Sequence, residues 1–435
     1  MSTHGADPQL SAAAADAARR PSPTASNPPA SNSTESGPTE SGPTAFGPAA
    51  AHAQASTPSP SADGLPIDTV ASVGEVATLK RIFPRLPAAA SALLGPGDDA
   101  AVIAAPDGRF VVTTDMMIHG PDFRLAWSTA HDLGWKAAVS NLADVAAMGA
   151  TPSALVVAIA APLDTRVVLL EGIADGLRDA CTRLSPGTGV VGGDLSVSNT
   201  LTIAVTAFGD LGGQPPVTRA GAKPGDTVAV AGHLGRAGAG LWLLFDQGTT
   251  ASDSTPAVVA REPENEEEPD VSREPTARCE PDSVRGLAVR AAHPVLVNAQ
   301  LAPTSPLESG VAACRANASA MLDVSDGLVL DAGRIATASG CSLELFHESI
   351  EAEADALRAV DSAVGAQARD FVLCGGEDHA LLATFPAGQE LPEGFRAIGE
   401  VRGRAAGHPL VTIGGERYVR PGGWDPFAGW NGAAG

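Results

Sequence analysis

The stretch "STAHDLGWKAAVSNLADVAAMGATP" runs from Ser128 to Pro152, and its reading decides what kind of fold the chain builds. Thr129 followed three residues later by Asp132 resembles an N-cap pair, and Gly149 with Pro152 gives a stop signal, so the spacing predicts a helix between them. Leu142, Ala143, Val145, Ala146, Ala147 and Met148 surround a single carboxylate, Asp144. A helix that is apolar nearly all round is expected to be buried, and its charge with it. Upstream, "RFVVTTDMMI" (Arg109 to Ile118) is a β-branched run, and downstream "TLTIAVTAFGDL" (Thr200 to Leu211) alternates like a half-buried strand. Strands on either side of a buried helix predict a mixed α/β or α+β architecture.

Further along, "KPGDTVAVAG" (Lys223 to Gly232) reads as a turn leading into a strand, and "HLGRAGAGLWLL" as a glycine-rich turn feeding a helix. Such a turn cradles phosphate in some proteins and merely permits close packing in others. Neither G-x-x-x-x-G-K-[ST] nor a clean G-x-G-x-x-G after a strand is present. Two folded blocks are expected, 64–215 and 216–432. The second is interrupted at about 247–282 by a polar segment holding "REPENEEEPDVSREP", which reads as a disordered acidic insertion. Residues 1–63 are almost wholly Ala, Ser, Pro, Thr, Gly and Asn, and read as a disordered tail.

The 435 residues, 44% of them hydrophobic, suffice to bury a core in each block. A formal charge of -22 disfavours nucleic acid, whose phosphates are met by clustered Lys and Arg. With neither a secretory start nor an apolar run long enough to span a bilayer, no membrane partner is expected and the default compartment is the cytoplasm. Cys181, Cys279, Cys314, Cys341 and Cys374 show no paired spacing, which argues against a zinc site and a disulfide framework.

The chemistry is carried by aspartates at the edges of apolar strands or within small-residue helices. They are Asp98 and Asp99 in "GPGDDAAV", Asp115 in "VVTTDMM", Asp144 in "NLADVAAMGA", Asp194 in "VVGGDLS", and Asp323 with Asp326 in "AMLDVSDGL". Taken singly, Asp115 reads equally well as a strand end, Asp194 as a turn and Asp326 as a helix cap. Asp144 is harder to dismiss, because a buried ionised carboxylate is costly unless a cation or several donors meet it. Few Lys or Arg lie nearby in sequence, whereas Thr113, Thr114 and Ser325 place hydroxyls beside three of the aspartates. Oxygen-only ligands of this kind point to hard divalent cations and to the handling of phosphates.

The ordered set "GPGDDAAV", "TTDMM", "DLGWKAAVSNLADVAAMGATP", "GGD", "TRAGAKPGDTVAVAG", "LDVSDGL" and "GGEDHALL" resembles the thiamine-monophosphate kinase family. That family belongs to the ATP-binding superfamily of aminoimidazole ribonucleotide synthetase. The resemblance implies a two-domain chain with an aminoimidazole-ribonucleotide-synthetase-like fold, forming a homodimer through N-terminal mixed-sheet domains. It also implies a kinase that moves the γ-phosphoryl of ATP to thiamine phosphate with several Mg2+ ions. Carried over by motif, Asp99, Thr113, Thr114, Asp115, Asp144, Asp194, Asp323 and Asp326 fall at magnesium-ligand positions. Gly193, Asp194, Arg219 and Ser325 fall at ATP contacts, and Asp122, Glu377 and Trp424 at substrate contacts. No side chain is implied as a nucleophile.

Two positions depart from the family pattern. Asp122 stands where many members carry a histidine before the phenylalanine, with His119 three residues earlier, and His379 stands where many carry a tyrosine. The second change reads as minor. Two rival readings stay open at this level: another ATP-using enzyme of the same superfamily, close to aminoimidazole ribonucleotide synthetase, and a non-catalytic metal-binding scaffold.

Overall fold

Thr129 starts a helix as its neighbours predict. Its hydroxyl accepts the Asp132 N–H at 3.1 Å, and the Asp132 carboxylate accepts the Thr129 N–H at 2.9 Å, so both free donors are satisfied. In this computed structural model, residues 68–96, 100–245, 281–404 and 407–419 are described, and they belong to one compact unit. Strand β1 (Val111–Ile118) precedes helix α1 (Ala130–Ala147). Then come β2 (Thr151–Ala161), α2 (Val167–Leu184), β3 (Gly189–Val197) and β4 (Thr202–Asp210). These four strands form one sheet in the order β1-β4-β2-β3, antiparallel except for β2 and β3. A parallel pair needs a crossover, and α2 supplies it.

The chain continues through β5 (Thr227–Ala231), α3 (Arg236–Leu244), α4 (Pro281–Ala292) and α5 (Pro294–Leu301). Next are β6 (Ala320–Val324), α6 (Leu328–Ser339), β7 (Cys341–Leu345), β8 (Ala380–Phe385), β9 (Phe395–Gly403), β10 (Val411–Ile413) and β11 (Glu416–Arg417). The second sheet has seven strands in the order β11-β10-β7-β9-β5-β8-β6. Helix α4 begins inside the segment that composition assigns to the acidic insertion up to residue 282, so that limit is corrected to lie before Pro281. Most of the insertion, together with residues 1–67 and 420–435, lies outside the described residues.

Each sheet has its own apolar cluster. Leu133, Val139, Leu142, Ile173, Ile203 and Val205 belong to one, and Val228, Val230, Leu322, Val324, Ile335 and Leu343 to the other. Burying each such side chain stabilises the fold by about 1.5–3 kcal/mol relative to exposure. The all-round apolar surface of α1 is explained by its position. It packs on β1, β2, β4 and α2 on one side, and on β6 and β8 of the second sheet on another. Gly134 permits the close crossing with α2, since a Cβ there would lie 1.9 Å from the Ile173 carbonyl oxygen.

Among the described residues Cys181, Cys314, Cys341 and Cys374 form no disulfide with one another, and Cys279 lies outside the described residues. Among the described residues no helix is long and apolar enough to cross a membrane.

Candidate active site

Helical periodicity puts Lys136, Ser140 and Asp144 on one face of α1, each one turn from the next. The element they face is the segment Glu377-Asp378-His379 and the strand beside it. Lys136 Nζ lies 2.6 Å from Glu377 Oε1. Ser140 Oγ is 3.2 Å from His379 Nε2, and His379 Nδ1 is 3.1 Å from Asp323 Oδ2 on β6. Asp144 Oδ2 accepts the Thr113 hydroxyl of β1 at 2.8 Å. One helix face thus meets the 377–379 segment and β1 directly, and reaches β6 through His379.

The two ends of the row differ in charge. Burial pushes the Asp144 carboxyl up to about 6, and the charges of Asp323 and Asp115 push the same way, while the Thr113 hydrogen bond and His379 oppose them. Among the described residues no Lys or Arg forms an ion pair with Asp144. Thr113, Asp144, Asp323 and Arg219 line a cleft of about 840 Å³, with Arg109 and Phe110 at its wall. That volume is within the range of small-molecule sites. A separate apolar cavity of about 50 Å³, which Asp194 borders, is too small for a nucleotide.

Among the described residues no three His, Cys, Asp or Glu side chains form a ready-made metal cage. Magnesium does not require one, because it is commonly held by one or two carboxylates together with substrate phosphates. Thr113, Asp115, Asp144 and Asp323 fit that pattern: hard oxygen donors, with the Asp323 and Asp115 charges both acting against the buried Asp144 carboxyl.

The remaining expected residues are not all brought together. Strand alternation sends Thr114 to the opposite face from Thr113, and its hydroxyl donates to the Val205 carbonyl at 3.0 Å. Asp326 is ion-paired with Arg334 at 2.5 Å. Asp194 accepts the Ser196 hydroxyl at 2.6 Å on β3. In register, Asp115 pairs with Val205, Val205 with Val157, and Val157 with Gly193. Three strand spacings therefore separate Asp115 from Gly193 and its neighbour Asp194, about 14 Å within one chain. Gly193 also has a packing role, since a Cβ there would lie 1.9 Å from the Val157 carbonyl oxygen. Asp99 and Trp424 lie outside the described residues.

At the other end, Asp122 accepts the Ile118 N–H at 2.7 Å. Burial raises its pKa, with Glu377 and Asp115 pushing the same way against the Ile118 N–H and Lys136. Asp122 is therefore in the field of Glu377 and Lys136, whereas the His119 ring packs against Phe123, their centroids 5.5 Å apart. Glu377 has a left-handed φ of 66°, and its carboxylate also accepts a hydrogen bond from buried Gln300. Its N–H donates to the carbonyl of Ser325 at 2.7 Å, placing Ser325 beside this segment.

Lys136, Ser140 and Gln300 were not singled out by sequence reasoning. The spacing Lys136-x-x-x-Ser140-x-x-x-Asp144 was a usable signal, whereas nothing local marks Gln300. His379, read as a minor change, lies in the middle of this row. It is 5% exposed and bonded through both ring nitrogens. Burial lowers its pKa, but Asp323 and Glu377 raise it more, so the net direction is upward.

Comparison with known proteins follows the same residues. A family pattern, AIR synthase related protein, N-terminal domain, matches residues 97–211. A thiamine-monophosphate kinase of Mycobacterium tuberculosis is 38% identical over 362 residues, covering 82% of this chain and 93% of that protein. The crystal structure of thiamine-monophosphate kinase from Stenotrophomonas maltophilia aligns with a TM-score of 0.57 at 28% identity, over 78% of this chain and 95% of that one. A solved complex, "AaThiL complexed with AMPPCP and TMP", aligns with a TM-score of 0.56 at 28% identity, over 81% of this chain and 97% of that one.

Proposed function

The chain belongs to the thiamine-monophosphate kinase family, and from that premise we propose that it phosphorylates thiamine monophosphate to the diphosphate by direct transfer from ATP in the cleft beside α1. The observation that carries this reading is the cleft itself, where Thr113, Asp144, Asp323 and Arg219 come together and, among the described residues, no Lys or Arg is paired with Asp144. Such a site favours a cation arriving with a polyphosphate.

Thr113, Asp115, Asp144 and Asp323 would hold Mg2+, with Asp99 and Asp326 as further proposed ligands. When bound, the cation neutralises charge on the phosphates as the loose transition state develops. Arg219 offers its guanidinium to phosphate oxygens from the wall of the cleft, and Ser325 is proposed as a neighbouring ATP contact. Asp122 and Glu377 present carboxylates to the cationic thiamine moiety, Lys136 and Gln300 hold Glu377 in place, and Trp424 is a further proposed contact. The acceptor is already a phosphate and needs little help from a base, so no phosphoenzyme is expected.

The outer face of the four-stranded sheet supports a homodimer, since Val112, Met116 and Ile118 alternate along β1 and are 59%, 54% and 36% exposed. On this reading Gly193 and Asp194, remote from Asp115 within one chain, serve the nucleotide of the partner copy. Mixing an Asp144 variant with an Asp194 variant should then restore activity to a fraction of the dimers. Recovery absent in verified mixed dimers would place Asp194 outside the site.

The function itself is tested by incubating the protein with ATP, Mg2+ and thiamine phosphate and reading products by mass spectrometry. Thiamine diphosphate and ADP in equal amounts are expected. Turnover of ATP without thiamine diphosphate would move the chain to another branch of the superfamily.

A further inference from the structure

His379 occupies the middle of the row, between the Lys136 pair and the Asp144 cleft. Its backbone is held at φ 50°, a left-handed conformation uncommon for a side chain of this size, and such conformations persist where surrounding contacts over-determine them. Those contacts are on the page. The His379 N–H donates to the Val324 carbonyl at 3.0 Å, Nδ1 meets Asp323 at 3.1 Å, and Nε2 meets Ser140 at 3.2 Å. Ser140 Oγ also donates to the Lys136 carbonyl at 3.1 Å, and the two ring contacts fix the imidazole with Nδ1 toward Asp323 and Nε2 toward Ser140.

Asp144 is oriented by Thr113 from β1, on the first sheet, and Asp323 by His379 from the second. The two carboxylates lie on different elements, α1 and β6. Their relative placement therefore depends on what ties β6 to α1, and the path Asp323–His379–Ser140 is such a tie. The next residue back, Asp378, accepts the Gly235 and Ala237 N–H groups at the start of α3 at 2.5 and 2.9 Å, which anchors the same segment independently.

We propose that His379 is a positioning residue for phosphoryl transfer, tying Asp323 to Ser140 of α1 so that Asp323 and Asp144 face one another across the nucleotide cleft. The proposal rests on the reading above that these carboxylates hold the nucleotide's cation. Groups that orient ligating carboxylates change metal affinity or activity by about 10–100-fold when removed.

Two substitutions separate the ring's halves. His379→Asn keeps a donor near the Nδ1 position and tolerates the left-handed backbone, so it retains the Asp323 contact. His379→Gln extends its amide toward Ser140 and gives up that contact. At saturating ATP and thiamine phosphate, the Mg2+ concentration for half-maximal rate should rise about 10-fold or more in His379→Gln and by a smaller factor in His379→Asn, which keeps the Asp323 contact and loses only the one to Ser140. The KM for thiamine phosphate at saturating Mg2+ should be unchanged in both. Independently of turnover, the rise in melting temperature on adding Mg2+ with a non-hydrolysable ATP analogue should shrink in His379→Gln and persist in His379→Asn. If His379→Gln does not fold, Ser140→Ala, which cuts the tie at α1, should show a smaller shift in the same Mg2+ dependence. Equal Mg2+ dependence in the parent and every folded variant would overturn the role of His379. A parent whose melting temperature does not respond to Mg2+ with the analogue would instead overturn the cation site on which it rests.

Discussion

The two ends of the α1 face solve the problem of buried charge in opposite ways. At Lys136 a buried ammonium meets a carboxylate at 2.6 Å, and Gln300 donates to the same carboxylate, so the group is complete within the chain. At Asp144 a carboxyl is pushed up to about 6 by burial and by a second carboxylate, and the described residues offer it a hydroxyl rather than a cation. The first arrangement holds a shape. The second stores an unfavourable interaction that an incoming cation with its polyphosphate relieves, which is why the metal and nucleotide are assigned to that end.

The largest effect is expected at the unpaired end. Asp144→Asn preserves shape but removes a charge, and activity should fall by about 10³-fold or more in a steady-state assay. In chelator the variant should melt no lower than the parent, because the amide avoids the cost of a buried carboxylate. A variant that melts far below the parent in chelator yet still turns over when folded would make the two ends alike. The opposite change tests the paired end. Lys136→Met leaves the partly exposed Glu377 with Gln300 and should cost about 1–2 kcal/mol in urea unfolding, while adding Glu377→Gln should recover most of it. A loss near zero would mean that the pair behaves as an exposed one.

The pH dependence sharpens the contrast. A carboxyl raised in the folded state stabilises the fold below its unfolded value, near 4, and that contribution is lost as pH rises through about 6. Without metal, the parent should therefore lose about 1–2 kcal/mol more than Asp144→Asn between pH 4 and pH 7, after discounting for partial solvent screening. Calorimetric melts across that range measure the difference, and parallel slopes would remove the buried charge from the account. A smaller effect is expected from Arg219→Ala, which should raise the ATP KM about 10-fold with little change for thiamine phosphate. If the thiamine phosphate KM rose instead, Arg219 would belong to the acceptor end. Removing residues 1–63, which lie outside the described residues, should change kcat by less than about 2-fold.

Much of the site was legible before folding was considered. The strand carrying Thr113 and Asp115, the helix carrying Asp144 and the strand carrying Asp323 all follow from period and capping, because those signals are local. At Asp326 local signals reach their limit. Its motif is the same whether the carboxylate is open or, as here, engaged by Arg334 eight residues on. Gln300 left no trace, since a lone amide on a helix acquires meaning only from the Glu377 that reaches it across 77 residues.

Local patterning was enough to start α1 at Thr129, to bury its length and to mark Asp144 as a costly charge, because caps and apolar periodicity act over a few residues. Which groups meet that helix was decided by long-range strand pairing. Register puts Val324 of β6 opposite Ala380 of β8, so His379 comes beside the end of β6, close enough to Asp323 to hydrogen-bond it. The four-strand order sends Asp194 to the far edge from Asp115. Hydrogen bonds and Coulomb interactions depend on separation in space, and between residues as distant in the chain as Ser140 and His379 that separation exists only once both sheets have formed around α1.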